Sequence, residues 1–168
     1  MDSEDATPEE VRRATDACLR LLAARPRSRH QLLTALERKG FSEPVRQAAL
    51  ARVEGWGYLN DERFAREKAE VLLRGGRYGP EAVQRRLEAQ GLSREAASAA
   101  VDSARGAVEF DAEAAARQVL EKRGLLGREL EPKEKARAGR LLVSRGFSED
   151  VIQRVLGDST LEPSGPGD

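Results

Sequence analysis

The chain has 168 residues, of which 39% are hydrophobic, 35% charged and only 4% aromatic, and its formal net charge at pH 7 is zero. This composition argues against a strongly basic nucleic-acid binder and against one thick core, and no apolar run approaches the length of a membrane span. Several thin helical layers fit better, because Ala, Glu, Arg and Leu dominate and favour helix.

The first predicted unit covers residues 7–59 and contains three helices. Thr7-Pro8-Glu9-Glu10 is a capping box with proline at the first helical position, and Ser28 with Gln31 forms a second capping box. Ser42 is predicted to cap the third helix. This unit carries more Lys and Arg than Asp and Glu, so it is the most basic part of the chain.

Two further three-helix units are predicted, over residues 60–106 and 107–156. Asn60 is the expected N-cap of a helix whose apolar stripe includes Phe64 and Val71, and Gly79-Pro80 starts the next helix. The acidic segment 1–6 and the Gly/Pro/Ser-rich segment 157–168 are predicted to be disordered. The acidic start does not fit a signal peptide.

A repeated corner organises these units. Gly40, Gly91 and Gly146 are each followed by an apolar residue and then serine, and matching apolar residues flank each corner, at intervals of about 50 residues. Glycine suits the left-handed position after a helix, and serine caps the following helix. The pattern predicts an all-α, elongated array of three tandem three-helix repeats, similar in size to helix-turn-helix modules.

No group of residues has the pattern of an active site, so no enzyme, cofactor or metal is predicted. Cys18 falls within a helical apolar stripe, which indicates a buried, inert thiol, and the scarcity of cysteine suits a reduced cytoplasmic compartment. His30 lies among arginines and is expected to be an exposed surface residue. Gly75-Gly76-x-x-Gly79 follows a helix and lacks the Lys-Ser/Thr of a phosphate-binding loop.

Arginines that gather near helix corners are the candidate residues for binding a partner or DNA. They are Arg25, Arg27 and Arg29 in the first unit, Arg74, Arg77, Arg85 and Arg86 in the second, and Arg137, Arg140 and Arg145 in the third. Two interpretations stay open, a solvated salt-bridged face or an interaction surface to which helix N-termini add main-chain donors for phosphate or carboxylate.

Three aromatic residues lie near these corners. Tyr78 could stack on a base or pack internally. Trp56 and Tyr58 lie between glycines at the first joint between units, and they are predicted to act as wedges that fix the angle there.

Several of these residues belong to a longer pattern that resembles a known family. The run Gly57-Tyr58-Leu59-Asn60-Asp61-Glu62-Arg63-Phe64-Ala65, followed by Tyr78-Gly79-Pro80 and Leu87-x-x-x-Gly91, resembles the signature of the RecX family, regulators of the bacterial recombinase RecA. Weaker matches extend it over about residues 10–156. One departure is the order Gly76-Arg77, since the family commonly places a basic residue before the glycine. The motif residues expected to have structural roles are Gly57, Tyr58, Asp61, Phe64, Gly79, Pro80, Leu87 and Gly91.

The resemblance implies a curved, all-helical chain that binds in the groove of a RecA–DNA filament and bridges adjacent protomers. It further implies inhibition of RecA's ATPase, strand-exchange and coprotease activities, which would modulate recombination and the SOS response. The expected partners are the RecA filament and the DNA backbone, with no membrane, and the expected state is a monomer. The alternative is a stand-alone DNA-binding helix-turn-helix array, which titration with DNA alone would reveal.

Overall fold

The computed structural model describes residues 6–157, so residues 1–5 and 158–168, on which most of the predicted disorder falls, lie outside the described residues. Within 6–157 all regular structure is helical, in nine helices with no strand. They are α1 (Pro8–Ala24), α2 (Arg29–Arg38), α3 (Glu43–Gly55), α4 (Asp61–Arg74), α5 (Pro80–Ala89), α6 (Arg94–Ala107), α7 (Ala112–Glu121), α8 (Pro132–Ser144) and α9 (Glu149–Leu156). The prediction of an all-α fold built from three-helix groups is confirmed.

Most of the predicted helix starts have the expected caps. The Thr7 hydroxyl accepts a hydrogen bond from the amide of Glu10 at 3.3 Å, and the Ser28 hydroxyl accepts one from Gln31 at 3.2 Å. Both form capping boxes, as predicted. Ser42 occupies the N-cap of α3, but its side chain makes no capping hydrogen bond, so that part of the prediction is wrong.

The three glycine corners share one geometry. The φ angles of Gly40, Gly91 and Gly146 are 88°, 91° and 86°, in the left-handed region that glycine adopts without strain. After each glycine, the next amide donates to the carbonyl five residues earlier, which is the Schellman pattern. The pairs are Phe41 to Leu36 at 3.2 Å, Leu92 to Leu87 at 3.4 Å and Phe147 to Leu142 at 3.0 Å.

The described residues fall into two compact units, and the first consists of 6–67 with Leu87–Ala100. Its core forms where α1, α2 and α3 pack together, and it fully buries Leu32, Leu36 and Leu50. Cys18 is also fully buried there, and loss of hydration raises the pKa of its thiol to about 11. The thiol is therefore protonated at neutral pH, which confirms its prediction as an inert core residue.

The second unit consists of Lys68–Arg86 with 101–157. Helices α7, α8 and α9 pack around a core whose largest buried side chains are Leu120, Leu142 and Phe147. Burial of each such side chain contributes about 1.5–3 kcal/mol to folding. The repeated apolar positions predicted from the corner alignment thus point into a core in this unit.

Two details of the predicted apolar pattern are wrong. On α4, Val71 is 63% exposed, and the buried stripe instead uses the smaller Ala69 together with Leu73. Trp56 and Tyr58 are 57% and 58% exposed, so they do not act as wedges. Exposed aromatic rings of this size are available to contact a partner.

Candidate interaction surface

The start of α2 is held by hydrogen bonds from two distant parts of the first unit. The hydroxyl of Ser28, which is fully buried, donates to the carbonyl of Gln90 at 2.7 Å. The amide of Arg29 donates to the carboxylate of Asp61 at 2.7 Å. Asp61 opens α4 and also sits at the positive end of the α2 dipole, where a carboxylate is favourable. We call this arrangement the first joint.

Close backbone packing completes the first joint. A side-chain carbon at Gly91 would fall on Cβ and Cγ of His30, so no larger residue fits there. The equivalent corner at Gly40 has nothing within 4 Å of such a carbon. Gly91 thus has two functions, a left-handed turn and a close approach, whereas Gly40 has only the first. The rest of His30 is exposed, as predicted.

The start of α5 is held in a second joint, within the second unit. The amide of Gly79 donates to the carbonyl of Arg145 at 2.6 Å, and the amide of Glu81 donates to the carbonyl of Gly146 at 3.1 Å. A side-chain carbon at Gly79 would come within 2.5 Å of the Gly146 carbonyl oxygen, and one at Gly146 would fall on the backbone of Ala82. The Gly79-Pro80 motif therefore serves this joint.

The joints change the interpretation of the helix N-termini. The amides at the starts of α2 and α5 are bonded within the chain, so the prediction that they offer donors to phosphate or carboxylate is wrong for both. At the start of α8 the amide of Glu131 donates to the carboxylate of Glu134 at 3.0 Å, as that of Ser28 donates to the side-chain oxygen of Gln31 at 3.0 Å. Three motif residues, Asp61, Gly79 and Gly91, therefore act in the joints.

The other motif residues also have structural positions. Leu87 is fully buried, Phe64 is 8% exposed, and Pro80 is the first residue of α5. Gly57 has a φ of 79° in the turn after α3, and Tyr58 follows it.

The arginines of the first unit are largely used internally. The Arg29 guanidinium pairs with Glu54 at 2.7 Å and donates to the side-chain oxygen of Gln47 at 2.9 Å. The Arg27 guanidinium donates to the main-chain carbonyl of Leu21 at 3.2 Å. Arg25 caps the end of α1 and is exposed. Of the three predicted binding residues, Arg25 is the one whose side chain is left for a partner.

The second unit holds a cluster of cations around one aromatic ring. The Arg86 guanidinium lies 4.0 Å from the centre of the Tyr78 ring and donates to its hydroxyl at 2.6 Å. The Arg145 guanidinium lies 6.0 Å from the same ring centre and donates to the carbonyl of Arg77 at 3.2 Å. We call Tyr78, Arg86 and Arg145, together with the Arg77 carbonyl, the arginine–tyrosine cluster. Tyr78 thus packs internally, which was one of its two predicted roles.

The remaining predicted arginines are exposed. Arg74 makes a 3.7 Å contact with Glu70 one turn earlier, an exposed type of pair that contributes little to stability. Arg85, Arg137 and Arg140 point to solvent. Arg145 was grouped with the last two from sequence, but the second joint brings it to Tyr78. No spacing pattern in the sequence could have revealed that approach.

A cleft in the first unit offers a different kind of surface. Its volume is about 480 Å³, and it is lined by Leu22, Arg27, Tyr58, Arg63 and Phe64 among others. The lining mixes apolar side chains with charged ones of both signs, Arg27, Arg63 and Glu67, and such a mixture occurs at protein-binding surfaces. Arg63 was not among the predicted binding residues.

The described residues show no site for a metal and no membrane span. Between residues 6 and 157, no three His, Cys, Asp or Glu side chains are grouped so as to hold a metal ion. None of the helices there combines the length and the hydropathy needed to cross a bilayer.

Comparison with known proteins gives the family. Models of the first, second and third three-helix domains of RecX match residues 14–52, 60–101 and 111–156. Regulatory protein RecX of Stenotrophomonas maltophilia is 33% identical over 160 residues, covering 92% of this chain and 94% of that protein. The protein of the same name from Thermus thermophilus is 37% identical over 129 residues, covering 77% and 80%.

Solved structures give the same fold. The crystal structure of RecX from Lactobacillus salivarius superimposes with a TM-score of 0.72 at 16% identity, covering 93% of this chain and all of that chain. Another RecX crystal structure gives a TM-score of 0.73 at 17% identity, covering 87% and 72%. At 16–17% sequence identity the superpositions establish the fold, and the sequence matches establish the family relationship. The chain therefore belongs to the RecX family of regulatory proteins.

Proposed function

We propose that this chain is a regulator without catalytic activity that binds the RecA–DNA filament and inhibits RecA's ATPase, strand-exchange and coprotease activities. The observation that carries the proposal is the match of three RecX domains, in order, to residues 14–52, 60–101 and 111–156. Through RecA, the protein would modulate DNA recombination, DNA repair and the SOS response, in the cytoplasm. It would act as a monomer and need no cofactor.

The proposed mechanism is occlusion. The chain would bind in the groove of the filament, bridge adjacent RecA protomers and hinder filament growth or the motions that ATP hydrolysis requires. Several exposed or half-exposed cations form no ion pair with a carboxylate within the described residues, and some of these would face acidic RecA loops or the DNA backbone. Among them, the residues that we place at this contact are Arg25, Arg63, Arg77, Arg86, Arg137, Arg140 and Arg145.

The test is the DNA-dependent ATPase of RecA, measured with increasing amounts of the purified chain. We expect hydrolysis to fall as the chain approaches stoichiometry with RecA, and electron microscopy should show shorter or fewer filaments. The heat-unfolded chain at the same concentration is the control. An ATPase rate that stays unchanged at stoichiometric amounts would refute the proposal.

The alternative, a stand-alone DNA binder, has less support. A helix-turn-helix module reads DNA mainly with the N-terminal residues of its second helix. Here the starts of α2 and α5 are bonded into the two joints, which leaves them poorly placed for a groove. Tight DNA binding without RecA, falling steeply with added salt, would favour this alternative.

A further inference from the structure

The arginine–tyrosine cluster gathers positive charge without an internal counter-charge. The guanidiniums of Arg86 and Arg145 both lie within 6.0 Å of the centre of the Tyr78 ring. Within residues 6–157, neither of them, nor that of Arg77, forms an ion pair with a carboxylate. Two cations that meet at one ring, with no carboxylate paired to either, favour a bound anion.

The cations of the cluster are also held in position. The Arg86 fork is fixed by the Tyr78 hydroxyl and ring, and Arg145 is fixed by its hydrogen bond to the carbonyl of Arg77. The second joint orders this region further, because the Arg145 carbonyl accepts from the amide of Gly79. A binding site whose side chains are ordered in advance loses less entropy when a ligand binds.

We propose that the arginine–tyrosine cluster binds a carboxylate on an acidic segment of the partner protein. This inference rests on the proposed function and names the chemistry by which one surface of the chain recognises the filament. Arg86 is exposed, and its planar guanidinium retains donors that pair well with a carboxylate.

The charge of the chain favours a carboxylate over the phosphates of DNA. A DNA backbone is followed by a row of cations that neutralises many phosphates, and such proteins are strongly basic. This chain has zero net charge over its 168 residues, and its cluster holds two guanidiniums against a single ring. One compact cationic site matches a single acidic segment better than a long row of phosphates.

The test compares two neighbouring arginines on α5. Arg86→Ala removes a member of the cluster, and Arg85→Ala removes the same charge from an exposed side chain outside the cluster. We expect the concentration for half-inhibition of the RecA ATPase to rise about tenfold for Arg86→Ala and less than about twofold for Arg85→Ala. Arg86→Lys should lie between them, because lysine keeps the charge but not the planar fork.

Each outcome separates the two hypotheses. If the unmodified chain inhibits RecA but Arg85→Ala and Arg86→Ala weaken it equally, the cluster proposal is wrong and the proposed function stands. If the unmodified chain does not inhibit RecA, both are wrong. Fluorescence anisotropy with single-stranded DNA alone adds a third readout. If Arg86→Ala loses DNA binding to the same extent as it loses inhibition, the ligand of the cluster is phosphate and the proposal is wrong. Circular dichroism of each variant must match that of the unmodified chain.

Discussion

Replacement of Gly146 by alanine should break the second joint. Gly146 has a φ of 86°, so alanine there is strained by about 1–2 kcal/mol. The new methyl carbon would also fall on the backbone of Ala82, which cannot move aside as a flexible side chain can. The start of α5 would therefore have to separate from the corner.

The size of the effect follows from what the separation removes. Two hydrogen bonds, from the amides of Gly79 and Glu81, would be lost or lengthened, at about 1 kcal/mol each. Together with the strain at Gly146, the free energy of unfolding should fall by about 3–4 kcal/mol. Gly40→Ala provides the matched control, because its φ of 88° brings the same strain with nothing within 4 Å.

The assay is urea unfolding followed by far-UV circular dichroism on both variants and the unmodified chain. We expect Gly40→Ala to lower stability by only the strain, and Gly146→Ala to lower it by about 2 kcal/mol more. If the two variants agree within about 0.5 kcal/mol, the close approach at Gly146 has no energetic role and the reasoning about joints is wrong.

Three more predictions concern single residues. Asp61→Asn should weaken the hydrogen bond and the dipole interaction at the start of α2. Urea unfolding should show a free energy of unfolding about 1 kcal/mol lower, whereas Glu62→Gln, at the exposed neighbouring residue, should change it less. Glu109 has a φ of 51°, and Glu109→Gly should raise the melting temperature by relieving about 0.5–1 kcal/mol of strain; an unchanged or lower value would contradict this. The hydrogen bond from Arg128 lowers the pKa of the Glu134 carboxyl from 4.5 to about 2, so this pair stabilises the fold above pH 4.5 and the contribution is lost as the pH falls towards 2. In Arg128→Gln the pKa of Glu134 should move back up, which carboxyl NMR titration will measure, and an unmoved pKa would show that the pair is not formed.

Local rules predicted much of the fold because the relevant interactions span few residues. A capping box such as that of Ser28 and Gln31, or a glycine corner such as Gly91, is encoded within one turn of helix. The helices and their order followed from these signals and from apolar spacing. On α4 the apolar residues cover a broad arc, so the prediction placed Val71 in the buried stripe where the structure uses the smaller Ala69.

The two joints could not be predicted from local rules, because the residues that meet in each joint are far apart in the sequence. The hydrogen bond from Ser28 to Gln90 joins residues 62 positions apart, and that from Arg145 to Arg77 joins residues 68 positions apart. The grouping of the arginines was therefore only partly right, since Arg29 is bound within its own unit while Arg145 joins Tyr78. Which arginines meet a partner stays a prediction.

The start of α8 differs in one respect from the starts of α2 and α5. Ser28 and Gly79 precede the two helices that rest against a following glycine corner, whereas the residue that precedes α8 is Glu131, which has a longer side chain. A glycine corner that packed against the start of α8 in the same way would meet the side chain of Glu131. A small residue at position 131 would therefore be the first change needed for such a joint to form a third time.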